Sequence, residues 1–156
     1  MNKRGFTLIE IVVTIAIMAI LMSIGTFQFN QYQRKSAVER QTREFYADVV
    51  EMRSKALFEK TPRSLRLAAA SYSLYASEDM TVAPLQTKIL KNPVGWNPTS
   101  TDITFDTSGM TDDIKTICTA DSNTSPVDSV VISTTSIRIG KLGEGATCAD
   151  ANVVAK

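Results

Sequence analysis

Histidine is absent from this chain. With it go the commonest general base near neutral pH and the commonest side-chain ligand for transition metals. Nucleophile pairs of the Ser–His and Cys–His kind are excluded too. A Ser–Lys hydrolase is the one inexpensive catalytic arrangement left, and no nucleophile motif accompanies it. The residues therefore point away from an enzyme, and they imply no cofactor. Cysteine is scarce: Cys118 and Cys148 are the only two, too few to make a metal centre on their own. Formal net charge is +1, which gives no sign of a nucleic-acid partner. Proline and glycine are missing from residues 28–60, so nothing there interrupts a helix. There is no internal repeat and no low-complexity tract beyond Ser/Thr-rich loops.

What the chain does have is a long apolar run near its front, from Phe6 to about Phe29, behind a short basic stretch, Met1–Gly5, that carries Lys3 and Arg4. About 20 apolar residues at 1.5 Å each span roughly 30 Å of hydrocarbon. The cations ahead of the run would keep the amino end on the cytoplasmic side. Glu10 is the anomaly. A carboxylate in a membrane helix costs on the order of 3 kcal/mol on insertion scales and usually has a partner. No Lys or Arg lies between Phe6 and Gln33, so that partner must be a main-chain amine or belong to another chain. An ordinary signal peptide cut near Ser23-Ile24-Gly25, or a plain signal anchor, leaves Glu10 unexplained.

Gly5-Phe6-Thr7-Leu8-Ile9-Glu10 resembles the processing site of type IV prepilins and type II secretion pseudopilins. The resemblance implies a cut between Gly5 and Phe6 by a prepilin peptidase and N-methylation of Phe6. It also implies an assembly role for Glu10, neutralising the amine of a neighbouring subunit. By the same resemblance the chain is stored in the inner membrane as a single pass, with its carboxy-terminal domain periplasmic, and then enters a pilus or pseudopilus filament beside other pilin subunits. Retention of Glu10 implies a more distal neighbour, hence a place just below the tip, where the subunit helps to prime assembly. Many major pilins have a proline in the second half of the membrane segment. None is present here, which favours a minor subunit. Gly25 is the weak point of that half.

The expected fold is α+β and pilin-like: one long N-terminal helix on a C-terminal antiparallel, strand-rich domain. The expected divisions are leader 1–5, filament-core helix 6–29, amphipathic helix 30–60 and β-rich domain 61–156. In the second helical part Val38, Phe45, Val49, Met52 and Ala56 share one face. Glu39–Arg43, Arg40–Glu44 and Glu51–Lys55 read as i,i+4 pairs. Thr61-Pro62 ends the helix. Strands are expected at 63–70 and 71–76, with a reversal or bulge at Ala68-Ala69-Ala70, and then at 87–90, 101–106, 114–120, 127–133 and 136–141. The last two form a hairpin about Thr134-Thr135. Asn92–Pro98 reads as a loop, and residues 143–156 as a tail. In an exported domain a disulfide between Cys118 and Cys148 is the default, worth roughly 3–4 kcal/mol in the chain-entropy model. Cysteine pairs that tie down the carboxy-terminal segment occur in pilins. Arg53-Ser54-Lys55-Ala56, residues 103–109 and Ile137-Arg138-Ile139-Gly140 resemble the GspH/FimT-like minor pilins and pseudopilins.

Weaker signals complete the reading. Asp106, Ser108, Asp112 and Asp113 cluster oxygen donors, but their spacing fits no EF-hand, and a solvated turn is the expectation. Trp96 is either an anchor for a neighbour or packs its own loop. Asn123-Thr124-Ser125 matches the glycosylation pattern. Arg63, Arg66, Arg138 and Lys141 would make a DNA-binding patch for uptake if their strands were adjacent. Basic residues outnumber acidic ones from Gln28 to Thr101 and the reverse holds from Asp102 onward, a polarity suited to head-to-tail orientation.

Overall fold

The computed structural model describes residues 6–120 and 125–156, apart from the side chains of 24–27. The expected leader Met1–Gly5, and Asn123 and Thr124 of the glycosylation pattern, lie outside the described residues. The chain divides into two compact units, Met1–Arg34 and Lys35–Lys156.

The first element is α1 (Leu8–Glu59). In the first unit its described side chains, from Leu8 to Ser23 and from Gln28 to Arg34, are all exposed. An 18-residue window there has a mean hydropathy of 2.5 and no burial. Such a helix is long and apolar enough to cross a membrane, and it satisfies its own main chain.

In the second unit α1 turns amphipathic. Val38, Phe45, Val49, Met52 and Ala56 are buried. The long step from Val38 to Phe45 is filled by Thr42, whose hydroxyl donates to the Val38 carbonyl at 2.9 Å. Lys60 takes a φ of 55°, the left-handed conformation that closes many helices, and Pro62 prevents continuation. Of the three expected i,i+4 pairs, Arg43–Glu39 at 2.9 Å and Lys55–Glu51 at 2.6 Å form. Glu44 instead meets Lys88 at 3.1 Å, because Asp48, one turn on, holds that amine at 2.8 Å.

Among the described residues nine strands follow: β1 (Arg63–Ala68), β2 (Ser71–Tyr75), β3 (Gln86–Ile89), β4 (Val94–Asn97), β5 (Asp102–Phe105), β6 (Lys115–Thr119), β7 (Ser129–Ile132), β8 (Ile137–Leu142) and β9 (Val153–Ala155). They form two antiparallel sheets, β3-β2-β1-β5 and β4-β6-β7-β8-β9. Ala68 pairs with Ser71, so the slip of phase at the alanines is a tight hairpin. One apolar cluster joins Phe45, Val49, Met52 and Ala56 of the helix to Leu65, Leu67, Tyr72, Ile103 and Phe105 of the first sheet and Ile117, Val130 and Ile132 of the second. The Phe45 and Tyr72 rings meet edge to face at 5.0 Å. Alternate residues of the second sheet face away: Cys118, Val131, Leu142 and Val153 make a smaller cluster on its outer side. This is why β6 and β7 are buried along their whole length.

Two expectations change. Residues 92–98 are not all loop: Val94–Asn97 pair with β6, and Pro93 and Pro98 fall just outside the strand. The tail is not irregular either. It makes a 3-10 turn at Asp150–Asn152 and then β9, which pairs with β8.

Candidate functional site

The amino-terminal motif sits at the start of α1. Thr7 is the residue before the helix, and its hydroxyl accepts the Glu10 backbone N–H at 3.3 Å. Thr7-Leu8-Ile9-Glu10 thus uses the first half of the Thr-x-x-Glu capping pattern. That pattern is readable in the sequence, although the carboxylate itself is the more conspicuous signal. Further along, Thr14 donates to the Ile11 carbonyl at 2.8 Å and Ser23 to the Ile20 carbonyl at 2.7 Å. These hydroxyls fold back onto the helix, which makes them tolerable in an apolar setting. The Glu10 carboxylate has no such outlet and finds no hydrogen-bond or ion-pair partner among the described residues. Phe6 is 80% exposed.

Cys118 and Cys148 are bonded to each other. The bridge fixes the segment ahead of β9 onto β6, at the outer cluster of the second sheet. Gly140 of β8 faces β9 so closely that a Cβ there would lie 2.5 Å from the Val154 carbonyl oxygen.

The remaining candidates resolve into local structure. Asp106 accepts the Ser108 and Met110 amides at 2.7 and 2.9 Å, and Asp113 accepts the Thr104 amide at 2.8 Å. Their oxygens serve the turn, and no group of metal-binding side chains occurs among the described residues. Trp96 is half-buried against the main core, with its indole N–H on the Thr99 carbonyl at 3.3 Å. The basic patch does not assemble. Arg63 and Arg66 lie on β1 of the first sheet, while Arg138 and Lys141 lie on β8 of the second. Arg63 pairs with Glu59, Arg138 with Asp150, and Arg66 grips Asp102 with two hydrogen bonds of 2.7 and 2.9 Å. That contact holds the Asp102 carboxyl below its ordinary range.

Residues 1–26 match the family model described as the prokaryotic N-terminal methylation motif. The fold matches crystal structures of the type IV minor pilin FimU of Pseudomonas aeruginosa. One form gives a TM-score of 0.57 at 14% identity over 69% of this chain and 91% of that one. A second form gives 0.54 at 15% identity over 65% and 90%. The fold is pilin-like. The minor pseudopilin EpsH from the type 2 secretion system of Vibrio cholerae also matches this pilin-like chain, at a TM-score of 0.49 and 12% identity over 70% of this chain and 98% of that one. None of the curated proteins matches it by sequence.

Proposed function

We propose that this chain is a non-catalytic, minor subunit of a type IV pilus, a reading supported by the likeness of its fold to the type IV minor pilin FimU. A pseudopilus of type II secretion is the same reading in a neighbouring machine. Residues 1–5 are the leader, removed after Gly5 by a prepilin peptidase. Phe6 becomes the N-methylated first residue. Residues 6–29 wait in the inner membrane, amino end cytoplasmic and domain periplasmic, and then move into the filament core. The amphipathic part, to residue 60, and the β-rich domain from residue 61 form the outward face.

The observation that carries this reading is the Glu10 carboxylate, exposed and without a partner among the described residues, in a helix whose Thr14 and Ser23 hydroxyls bond back to its own carbonyls. Once Phe6 becomes an amino terminus, a neighbouring copy or another pilin can bring its amine to that carboxylate. An ion pair in hydrocarbon then gains far more than it would in water, and it selects an axial offset between subunits. A neighbour above supplies this partner, so the subunit sits below the extreme tip, where it primes assembly.

Glu10→Ala is expected to lose its leader normally, yet to be missing from the sheared filament fraction on a blot. Normal incorporation would overturn the pairing role. Gly5→Leu is expected to keep residues 1–5, read by amino-terminal mass spectrometry. The parent chain is expected to begin at an N-methylated Phe6. DNA as a further partner finds no support, since the cations offered for it are spread over two sheets and three of the four are paired with carboxylates.

A further inference from the structure

We infer that the basic groove between α1 and β3, at the start of the second unit, is a docking surface for anionic phospholipid headgroups. It holds the domain to the membrane surface while the chain waits there. This rests on the membrane half of the reading above and adds the class of lipid that the domain selects.

Arg40, Gln41 and Glu44 line one wall of the groove, and Lys88, Ile89 and Lys91 line the other. The three helix residues are spaced to share a face. Two contacts set how the second wall runs along the helix. Lys88 is held by Glu44 and Asp48 at 3.1 and 2.8 Å. Asn92 is held about one turn earlier: Gln41 Nε2 donates to its carbonyl at 2.7 Å, and its N–H donates to Gln41 Oε1 at 2.9 Å. The chain from β3 therefore runs back along α1 and carries Lys91 toward Lys35, where the unit begins.

Charge in this region does not balance. Glu39 pairs with Arg43, and Glu44 and Asp48 pair with Lys88, so every carboxylate of residues 35–48 is taken. Lys35, Arg40 and Lys91 are exposed and have no ion-pair partner among the described residues. Three free cations without a free carboxylate suit a surface that carries phosphates. Position in the chain makes lipid the source, since Lys35 comes six residues after Phe29, where the membrane-length run ends. Ile89, 85% exposed between Lys88 and Lys91, offers a contact to the apolar part of a lipid, which a free phosphate or a nucleic-acid backbone lacks. Each cation near an anionic membrane is worth about fivefold in occupancy, within a Debye length of roughly 8–10 Å.

The test uses the full chain in lipid nanodiscs, with a fluorophore on one introduced cysteine and a nitroxide quencher on the lipid headgroups. Cys118 and Cys148 are bonded to each other and take no label. Labelled Ile89→Cys is expected to be quenched in discs containing phosphatidylglycerol and not in discs of phosphatidylcholine alone. Labelled Phe58→Cys, an exposed site on α1 about 35 Å beyond Lys35, should be unquenched in both. Arg40→Gln with Lys91→Gln should lower the ratio of docked to free domain about 25-fold, and Arg40→Lys with Lys91→Arg should retain it. At matched ionic strength, inorganic phosphate or a short DNA duplex should leave the quenching unchanged. Relief by phosphate would make the groove a site for a free anion, and relief by DNA would give it to a nucleic acid; either overturns the lipid assignment. So would equal quenching in the two lipids, equal quenching at Phe58, or a neutralised variant that docks like the parent. Ile15→Cys, read with a nitroxide on the acyl chains, separates the two levels. Quenching at Ile15 with none at Ile89 removes the docking surface and leaves the membrane reading standing. Silence at Ile15 removes the membrane reading and this inference with it.

Discussion

Lys115 is buried on β6, where its ammonium donates to the Ser100 carbonyl and hydroxyl at 2.7 and 2.6 Å. It ties the second sheet to the chain entering β5 of the first. Burial pushes its pKa down, and Asp113 and Asp102 only partly oppose this. The folded protein therefore holds this proton less tightly than the unfolded chain does. The penalty is present below the depressed pKa and fades as pH rises toward the ordinary lysine value of 10.5. Lys115→Met keeps the volume and removes the charge, so at neutral pH it should unfold at or above the parent's midpoint. Its advantage should shrink as pH approaches the lysine range. Lys115→Ala should lose about 2–5 kcal/mol to the cavity. Denaturant midpoints of the detergent-solubilised chain measure all three. Asp102 shifts in the same direction with the opposite consequence for stability: Arg66, by hydrogen bond and charge, lowers its pKa from 3.8. Its stabilisation is complete above that ordinary value and is lost as pH falls through the lowered one. Asp102→Asn should flatten part of the acid limb of a midpoint-against-pH curve taken from about pH 6 to about pH 2. An unchanged acid limb would show that the pair contributes nothing to it.

At the scale of elements, β9 is held from two sides. The Cys118–Cys148 bridge delivers the tail to the second sheet, and Gly140 lets β9 lie close against β8. Gly140→Ala would set its methyl 2.6 Å from Val153 Cγ1 and 2.5 Å from the Val154 oxygen. It should cost about 1–3 kcal/mol and speed amide exchange at Lys156, whose N–H reaches the Ile139 carbonyl at 3.2 Å. Gly95→Ala, with nothing within 4 Å, is the control and should leave that exchange unchanged. These elements also show what a sequence can carry. The helix face of Val38, Phe45, Val49, Met52 and Ala56 is legible because a 3.6-residue period is written locally. The turn at Ala69-Ala70 is legible because alternation changes phase there. β4 is hidden because Pro93, Gly95 and Pro98 punctuate like a loop, whereas the pairing with β6 that makes it a strand comes from residues about 20 positions away. β9 is three residues long and exists through β8 and the bridge. The basic patch fails for the same reason: adjacency of strands is a non-local property. At the amino-terminal site, Glu10 stands out as a charge among apolar residues. The Thr7 cap is easily missed because threonine in a membrane-length run raises no contradiction.

For the whole molecule, the division of labour lies between the two units. Every buried side chain of the apolar core, starting with Val38, belongs to Lys35–Lys156. The first unit buries none of its described side chains. Folding of the domain should then be independent of residues 1–34. A chain beginning at Lys35 loses no core contact, no strand and neither cysteine. It keeps the i,i+4 pairs Glu39–Arg43 and Glu51–Lys55 and the Lys88 anchor to Glu44 and Asp48, where hydrogen bonds to both carboxylates outweigh burial and hold the lysine pKa up. It should be soluble without detergent and retain near-ultraviolet circular dichroism. It should also unfold in one cooperative transition within about 1 kcal/mol of the full chain in detergent. A chain from Phe45 onward is the informative counterpart. It removes Val38 and Thr42, whose contacts close the amino-terminal turns of the buried face, together with Gln41, which accepts the Asn92 amide at 2.9 Å and donates to its carbonyl at 2.7 Å. That shorter chain should be less stable by about 2–5 kcal/mol. If the chain from Lys35 failed to unfold cooperatively, the membrane-length segment would be part of the domain's own stability, and the separation of anchor from domain would have to be abandoned.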